Sequence, residues 1–293
     1  MKRITVIGSE SFLARNFIKY SSNVGLSYQF ELYDYGNISK NCNLKFKKID
    51  FSDKDDIKNI DFSADAIMIF IGKTGTVAGF DEYKAFIEVN EIMLLNILSE
   101  YVKAESKARI IYPSSRLLFK SNNNETIKED GEREYKSIYA VTKLAAEEYL
   151  KIYNDVFDVK SVILRICTPI GTLLDDFGNY GTFEIFKHQA IEKGEITIFG
   201  NGLQRKTFTS MIDICKAFSL LIDKEILDHR EYNLGGQALS LLDIAQKIAN
   251  EYGVKIKHML WPDIYHKVDG GSVVFDSSRF DCEFDMKYTQ ILG

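Results

Sequence analysis

Lys2-Arg3-Ile4-Thr5-Val6-Ile7-Gly8-Ser9-Glu10-Ser11-Phe12-Leu13-Ala14 opens the chain, a short run of buried-type strand residues that passes through a glycine into a helical pattern. In a dinucleotide-binding strand–turn–helix unit the first glycine makes the tight turn. The second lets the backbone approach the pyrophosphate, and the third permits close helix–strand packing. Gly8 holds the first position, with Ser11 and Ala14 at the second and third. Both substitutes are small, but Ser11 crowds the pyrophosphate unless its hydroxyl bonds to it. The helix N-terminus supplies an anion site either way. A second strand over 28–33 ends in Asp34, at the distance where an acidic residue takes the adenosine ribose hydroxyls. The other role open to Asp34 is that of a turn residue ahead of Gly36-Asn37.

Outward from this unit, strands and helices alternate as a parallel sheet demands. Residues 4–7, 30–33, 46–49, 66–71, 109–112 and 161–165 read as buried strands, with helices beginning near Phe12, Tyr83 and Ile138. Residues 120–134 read as a polar loop and 172–181 as a mobile one, and 240–252 as a clear helix. The expected architecture is a doubly wound, Rossmann-like parallel α/β sheet over 1–165, to which 203–232 returns. Residues 166–293 make most of a smaller α/β substrate-binding lobe. The site is expected at the carboxyl ends of the strands, between the two lobes.

Chemistry is concentrated in Ser137-Ile-Tyr139-Ala-Val-Thr-Lys143, with Ser115 upstream at the end of an apolar run. Leu144, Ala145, Tyr149, Ile152 and Tyr153 recur at helical spacing, so Tyr139 and Lys143, four apart, project from one face. A free tyrosine, with a pKa of about 10, is a poor base at neutral pH. A neighbouring cation stabilises the phenolate, and a shift of about three units needs roughly 4 kcal/mol of differential interaction.

Taken together the motifs resemble the extended short-chain dehydrogenases/reductases of the NAD-dependent epimerase/dehydratase family, whose members mostly act on nucleotide-activated sugars. The resemblance runs through Gly8-x-x-Ser11-Phe12-Leu13-Ala14, Asp34, Ile49-Asp50-Phe51, Val89-Asn90 and Tyr112-Pro-Ser114-Ser115. It continues in Tyr139-x-x-x-Lys143, 164–171, 196–202, Asp213 and 232–235. It implies that Ser115 bonds the reacting oxygen and that Tyr139 is the acid/base. Lys143 would bind the nicotinamide ribose and lower the tyrosine pKa, and Asp50 would contact the adenine. Gly8, Ser11, Phe12, Leu13, Asp34, Phe51, Ile71, Gly72 and Asn90 complete the expected NAD site. Asp34 would repel a 2′-phosphate, which favours NAD. Thr168 stands where many members place an asparagine on the sugar nucleotide, and Arg205-Lys206 where they place an arginine on the diphosphate. Phe199, Phe208 and Trp261 are aromatics able to pack on a base, or else core residues. Arg116-Leu117 replaces the Asp-Glu pair of 4,6-dehydratases, and leucine cannot exchange protons, so that elimination is not expected. Arg116 is read either as a contact to a substrate phosphate or carboxylate, or as a solvent-facing charge.

Composition agrees. A net charge of −5 over 293 residues lacks the basic face that a nucleic-acid partner wants. Four scattered cysteines without a C-x-x-C pair and four isolated histidines offer no metal site and suit a reducing cytoplasm. No stretch approaches membrane-spanning length. The expected activity is an NAD-dependent nucleotide-sugar epimerase working through C4 oxidation and re-reduction. Three competitors share these features: an NAD(P)H-dependent 4-keto-6-deoxy-sugar nucleotide reductase, a dehydrogenase or decarboxylase with Arg116 on a carboxylate, and a non-catalytic NAD-binding regulator. The helix near Tyr83 carries Phe86, Ile87, Val89, Ile92, Met93, Leu94, Leu95, Ile97, Leu98 and Tyr101, more than one core face requires. A homodimer is expected, joined through this helix and the one beginning near Ile138, with Met93 and Ile97 facing outward.

Overall fold

The computed structural model describes residues 1–36, 46–122, 125–174, 181–268 and 271–292. The loop expected over 172–181 falls mostly outside them, as do Asn37 and Cys42. The chain divides into two compact units. One holds Met1–Ser114, Ser137–Leu164 and Cys215–Glu231, and the other Ser115–Lys136, Arg165–Ile214 and Tyr232–Gly293.

Twelve strands are found among the described residues. They are β1 Lys2–Ile7, β2 Tyr28–Asp34, β3 Lys47–Lys48, β4 Ala66–Ile69, β5 Arg109–Ser115 and β6 Ser161–Ile166, then β7 Thr168–Ile170, β8 Glu195–Phe199, β9 Arg205–Ser210, β10 Glu231–Asn233, β11 Gln237–Ser240 and β12 Lys255–Met259. Seven of them form the main sheet in the order β10-β6-β5-β4-β1-β2-β3. β1 pairs in parallel with β2 on one side and β4 on the other, Ile4 standing opposite Phe30 and Ala66. The strand order therefore reverses between β1 and β4, which is the doubly wound switch point. Ile4, Val6 and Ile7 are fully buried, as is Thr5, whose hydroxyl donates to the Asp61 carbonyl at 2.7 Å. β3 is shorter than the expected 46–49. Its two residues are exposed lysines at a sheet edge, a composition that discourages further pairing.

The longer helices are α1 Phe12–Asn23, α2 Met93–Lys103, α3 Ile138–Phe157, α4 Thr182–Lys193, α5 Met211–Asp223 and α6 Leu241–Tyr252. Ser11 caps α1, its Oγ accepting from Ala14 N at 3.3 Å, and Ser137 caps α3 in the same way through Ala140 N at 3.2 Å. The helical run into α2 is not uniform. Tyr83–Ile87 is followed by a π-helical turn over Glu88–Ile92, so residues beyond it do not continue the face set by Phe86. This corrects two of the expected outward positions. Ile97 is fully buried in the core of Ile7, Tyr33, Ile69, Leu98 and Ile110, and Met93 packs against that core. The outward apolar residues are Ile87 and Ile92 before α2, and Val141, Ile152, Val156 and Phe157 on α3.

In the second unit, β11-β9-β7 and β12-β8 form two small sheets. Their core gathers Ile196, Ile198, Phe208, Ile244 and Ile248, which places Phe208 among core residues rather than on a base. A reciprocal capping box of Ser240 and Asp243 starts α6, and Gly253 in the left-handed region ends it. The last described residues are clasped to this unit. Asp213 accepts from Thr289 N at 2.8 Å, and the Gln237 side-chain oxygen accepts from Ile291 N and Leu292 N. Among the described residues no helix is long and apolar enough to cross a membrane, and no cluster of three metal-ligating side chains is found.

Candidate active site

Where β1 ends, the chain must turn without a side chain. Gly8 has φ +81°, and a Cβ there would lie 2.6 Å from Ile71 N and 2.9 Å from the Phe70 carbonyl carbon, both rigid backbone atoms of the segment leaving β4. This close approach opens a cavity of about 540 Å³ at the switch point. It is lined by Gly8, Glu10, Ser11, Asp34, Tyr35, Phe51, Phe70, Ile71, Gly72, Val89 and Met93. Six of the expected cofactor residues thus meet in one place. Phe12, Leu13, Asp50, Asn90, Tyr139 and Lys143 are not among its walls.

Asp34 does more than line the cavity. One carboxylate oxygen accepts from Glu10 N at 2.8 Å, and the other from Tyr35 N at 2.8 Å and Gly36 N at 3.2 Å. It is both cavity residue and turn residue, and it ties the glycine turn to the end of β2. A carboxylate offers about four acceptor sites, so ribose hydroxyls arriving here share or displace backbone donors. Asp50 is turned to its own loop, where bonds from the Ser52 hydroxyl and amide hold its carboxyl below the usual range. Asn90 is buried and spans the backbone of Lys73, accepting from its N and donating to its O, while also donating to the Thr142 hydroxyl at 2.9 Å. It therefore fixes the segment after β4 against α3. Val89 and Met93, four residues apart across the π turn, both reach the cavity.

Tyr139 and Lys143 occupy the first turns of α3. The Tyr139 ring meets Phe86 edge-on with centroids 6.5 Å apart. Lys143 is buried, and its ammonium donates to the Tyr112 hydroxyl and the Pro113 carbonyl, each at 2.9 Å. Burial pushes its pKa down to about 8, against the opposing pull of Glu147 one turn along. A Cβ on Gly72 would lie 3.9 Å from the ammonium, so the cavity wall ends beside Lys143. Tyr112 opens the Tyr112-Pro-Ser114-Ser115 run quoted from the sequence but was given no role there, because its partner Lys143 lies 31 residues further along.

In the second unit, Ser115 is buried and its Oγ accepts from Leu117 N at 3.2 Å. Arg116 is half-buried, and its Nη1 is buried with no hydrogen-bond partner among the described residues. Burial raises the pKa of the Cys167 thiol, while the charge of Arg116, a hydrogen bond with Thr168 and the charge of Lys206 act the other way. Arg205 and Lys206 do not act as a pair. Successive strand residues face opposite ways, so Lys206 is buried while Arg205 is exposed and donates to the Ala238 carbonyl at 2.8 Å. Phe199 and Trp261 pack together at 5.6 Å, and Trp261 also occupies the space above Gly200.

A parallel doubly wound sheet with a side-chain-free turn, a capped helix N-terminus and an acidic residue at the second strand defines a dinucleotide-binding protein. The NAD dependent epimerase/dehydratase family model matches residues 4–235, and the chain belongs to that family. Its cofactor is NAD, which the Gly8 cradle and the Asp34 carboxylate fit. The chain is 24% identical over 272 residues to UDP-glucose 4-epimerase 4 of Oryza sativa subsp. japonica, covering 86% of this chain and 72% of that one. It is 22% identical over 289 residues to CDP-paratose 2-epimerase of Salmonella typhi, covering 85% and 84%. The fold matches the UDP-glucose 4-epimerase of Thermus thermophilus solved with NAD, with a TM-score of 0.82 at 19% identity over 96% of this chain and 93% of that one.

Gly8→Ala tests the cradle. The added methyl meets backbone that cannot yield, and the positive φ strains it further. NAD affinity measured by calorimetry should fall at least a hundredfold while far-ultraviolet circular dichroism stays close to that of the parent. Unchanged affinity would remove the cradle from the cofactor site.

Proposed function

We propose that this protein is a nucleotide-sugar epimerase that oxidises the C4 hydroxyl of its substrate and then re-reduces the resulting ketone from the opposite face. One observation carries the reading: a buried, hydrogen-bonded ammonium, Lys143, one helical turn from Tyr139. NAD held in the cavity by Gly8, Ser11 and Asp34 would supply the hydride acceptor and donor for the two half-reactions. Tyr139 takes the C4 hydroxyl proton as the carbon is oxidised and gives it back on reduction. Lys143 holds the phenolate form of Tyr139 by charge, and Ser115 fixes the reacting oxygen by a hydrogen bond. Because no net redox change remains, NAD retained through purification supports this reading over a reductase that consumes reduced cofactor.

The acid/base assignment is tested by Tyr139→Phe, which keeps the ring against Phe86. General acid–base catalysis is typically worth 10²–10⁴ in rate. Conversion of UDP-glucose to UDP-galactose, or of the corresponding pair for the sugar actually used, should slow at least a hundredfold with NAD affinity nearly unchanged. An active variant would take Tyr139 out of the mechanism.

Arg116 favours a substrate with a carboxylate on the sugar. A half-buried guanidinium with an unpartnered buried nitrogen, directly after Ser115, is suited to bidentate capture of a planar anion. On this reading the KM for UDP-glucuronate lies well below that for UDP-glucose, and Arg116→Gln raises the first about tenfold or more with little effect on the second. Equal KM values in the parent enzyme would refute the carboxylate role.

The outward residues Val141, Ile152, Val156 and Phe157 on α3, with Ile87 and Ile92 on the preceding helical run, support a twofold homodimer. Sedimentation at micromolar concentration should give twice the chain mass, and Ile152→Glu with Val156→Glu should halve it. A monomer throughout would overturn the assembly.

A further inference from the structure

We propose that Tyr112 is the positioning residue of this active site: its hydroxyl and the Pro113 carbonyl aim the Lys143 ammonium at the nicotinamide ribose. This rests on the reading that Lys143 contacts that ribose, and on nothing about the sugar. An ammonium has three N–H donors. Two go to β5, to Tyr112 Oη and Pro113 O, each at 2.9 Å, which leaves one for the cofactor. A lysine stem is flexible, and two bonds to one strand fix both the position of the nitrogen and the direction of its remaining N–H. The ammonium also stands 4.3 Å from the centroid of the Tyr112 ring, so the same residue supports it by its face and by its hydroxyl.

Tyr112 is suited to this task because it stays a neutral phenol. It is almost wholly buried, and burial pushes its pKa well above the usual value, with the acidic groups of Tyr139, Glu147 and Glu91 acting in the same direction. Among the described residues these groups act on Tyr112, and Glu147 acts on the ammonium as well. Tyr112 comes from β5, Tyr139 and Glu147 from α3, and Glu91 from the π turn, where its carboxylate accepts from the Tyr149 hydroxyl at 2.9 Å. Glu147 favours the charged lysine and burial opposes it, which leaves a pKa of about 8. A lysine poised there is sensitive to the loss of one acceptor. Without the Tyr112 oxygen the buried charge is less well solvated, and the proton leaves at lower pH.

The sign follows from linkage. Ribose hydroxyls that accept from Lys143 bind the protonated form better, so affinity is full below the lysine pKa and falls as pH rises through it. The test is the NAD dissociation constant measured by calorimetry from pH 6.5 to 9.5. In the parent protein the affinity should begin to fall near pH 8 and drop severalfold by pH 9.5, and Lys143→Met should abolish that dependence. Tyr112→Phe, which keeps the ring and removes only the hydroxyl, should move the fall about one pH unit lower and weaken binding about fivefold at pH 8. Tyr112→Met, which likewise lacks the acceptor, serves if the first variant does not fold. A parent curve flat to pH 9.5, or a Tyr112→Phe curve superimposed on the parent's, would overturn the proposal. Because the titration contains no sugar, neither result depends on whether the enzyme is a 4-epimerase.

Discussion

The contact between residue 8 and the backbone of residues 70 and 71 constrains everything built above the sheet. β1 and β4 are hydrogen-bonded neighbours, and the chain leaving each must bend away at the same level. With no Cβ at Gly8 the two segments touch, α1 starts against them, and the space beyond remains open at the switch point. Any side chain at position 8 pushes the segment after β4 outward. That segment carries Gly72 and Lys73, which Asn90 holds against α3. The cofactor cradle and the seating of α3 are therefore set by one steric condition.

Lys143 meets a second condition, an electrostatic one. An isolated charge buried to this degree costs far more than folding can supply unless it is bonded. Here the cost is met by a phenol and a carbonyl from β5, a ring face, and a carboxylate one turn away on its own helix. The pKa is lowered because burial outweighs the pull of Glu147. The ammonium stays protonated at neutral pH with little margin.

Much of this was legible in the sequence because it is local. The i, i+4 spacing of Tyr139 and Lys143 needs only a helix, and the glycine turn followed by Asp34 needs only a strand–helix–strand unit. Where the reading from sequence diverged, the deciding contact was non-local or the period was misjudged. Tyr112 lies thirty-one residues before Lys143, and only strand-to-helix packing brings them together. Arg205 and Lys206 looked like a pair because they are adjacent, yet on β9 adjacency means opposite faces. Asp34 was read through either of two roles; its oxygens accept from backbone amides of the two turns, and the same residue lines the cavity. Ile97 and Met93 were placed by a constant helical period across a stretch where the period changes.

That change of period has a consequence for how the chain tolerates length variation. A π turn holds one residue more than the α-helical path it replaces, and each residue of an α-helix turns the chain by about 100°. Losing one residue within Glu88–Ile92 would let the run close into an ordinary helix at little cost to its backbone bonds. The residues on either side would then be rotated against each other by more than a quarter turn. Either Val89 or Met93 would leave the cavity wall, or the buried Leu94, Ile97 and Leu98 would be swung out of the core. The extra residue works as a spacer between two faces that must point differently, and a single-codon deletion there would be felt in both cofactor and core.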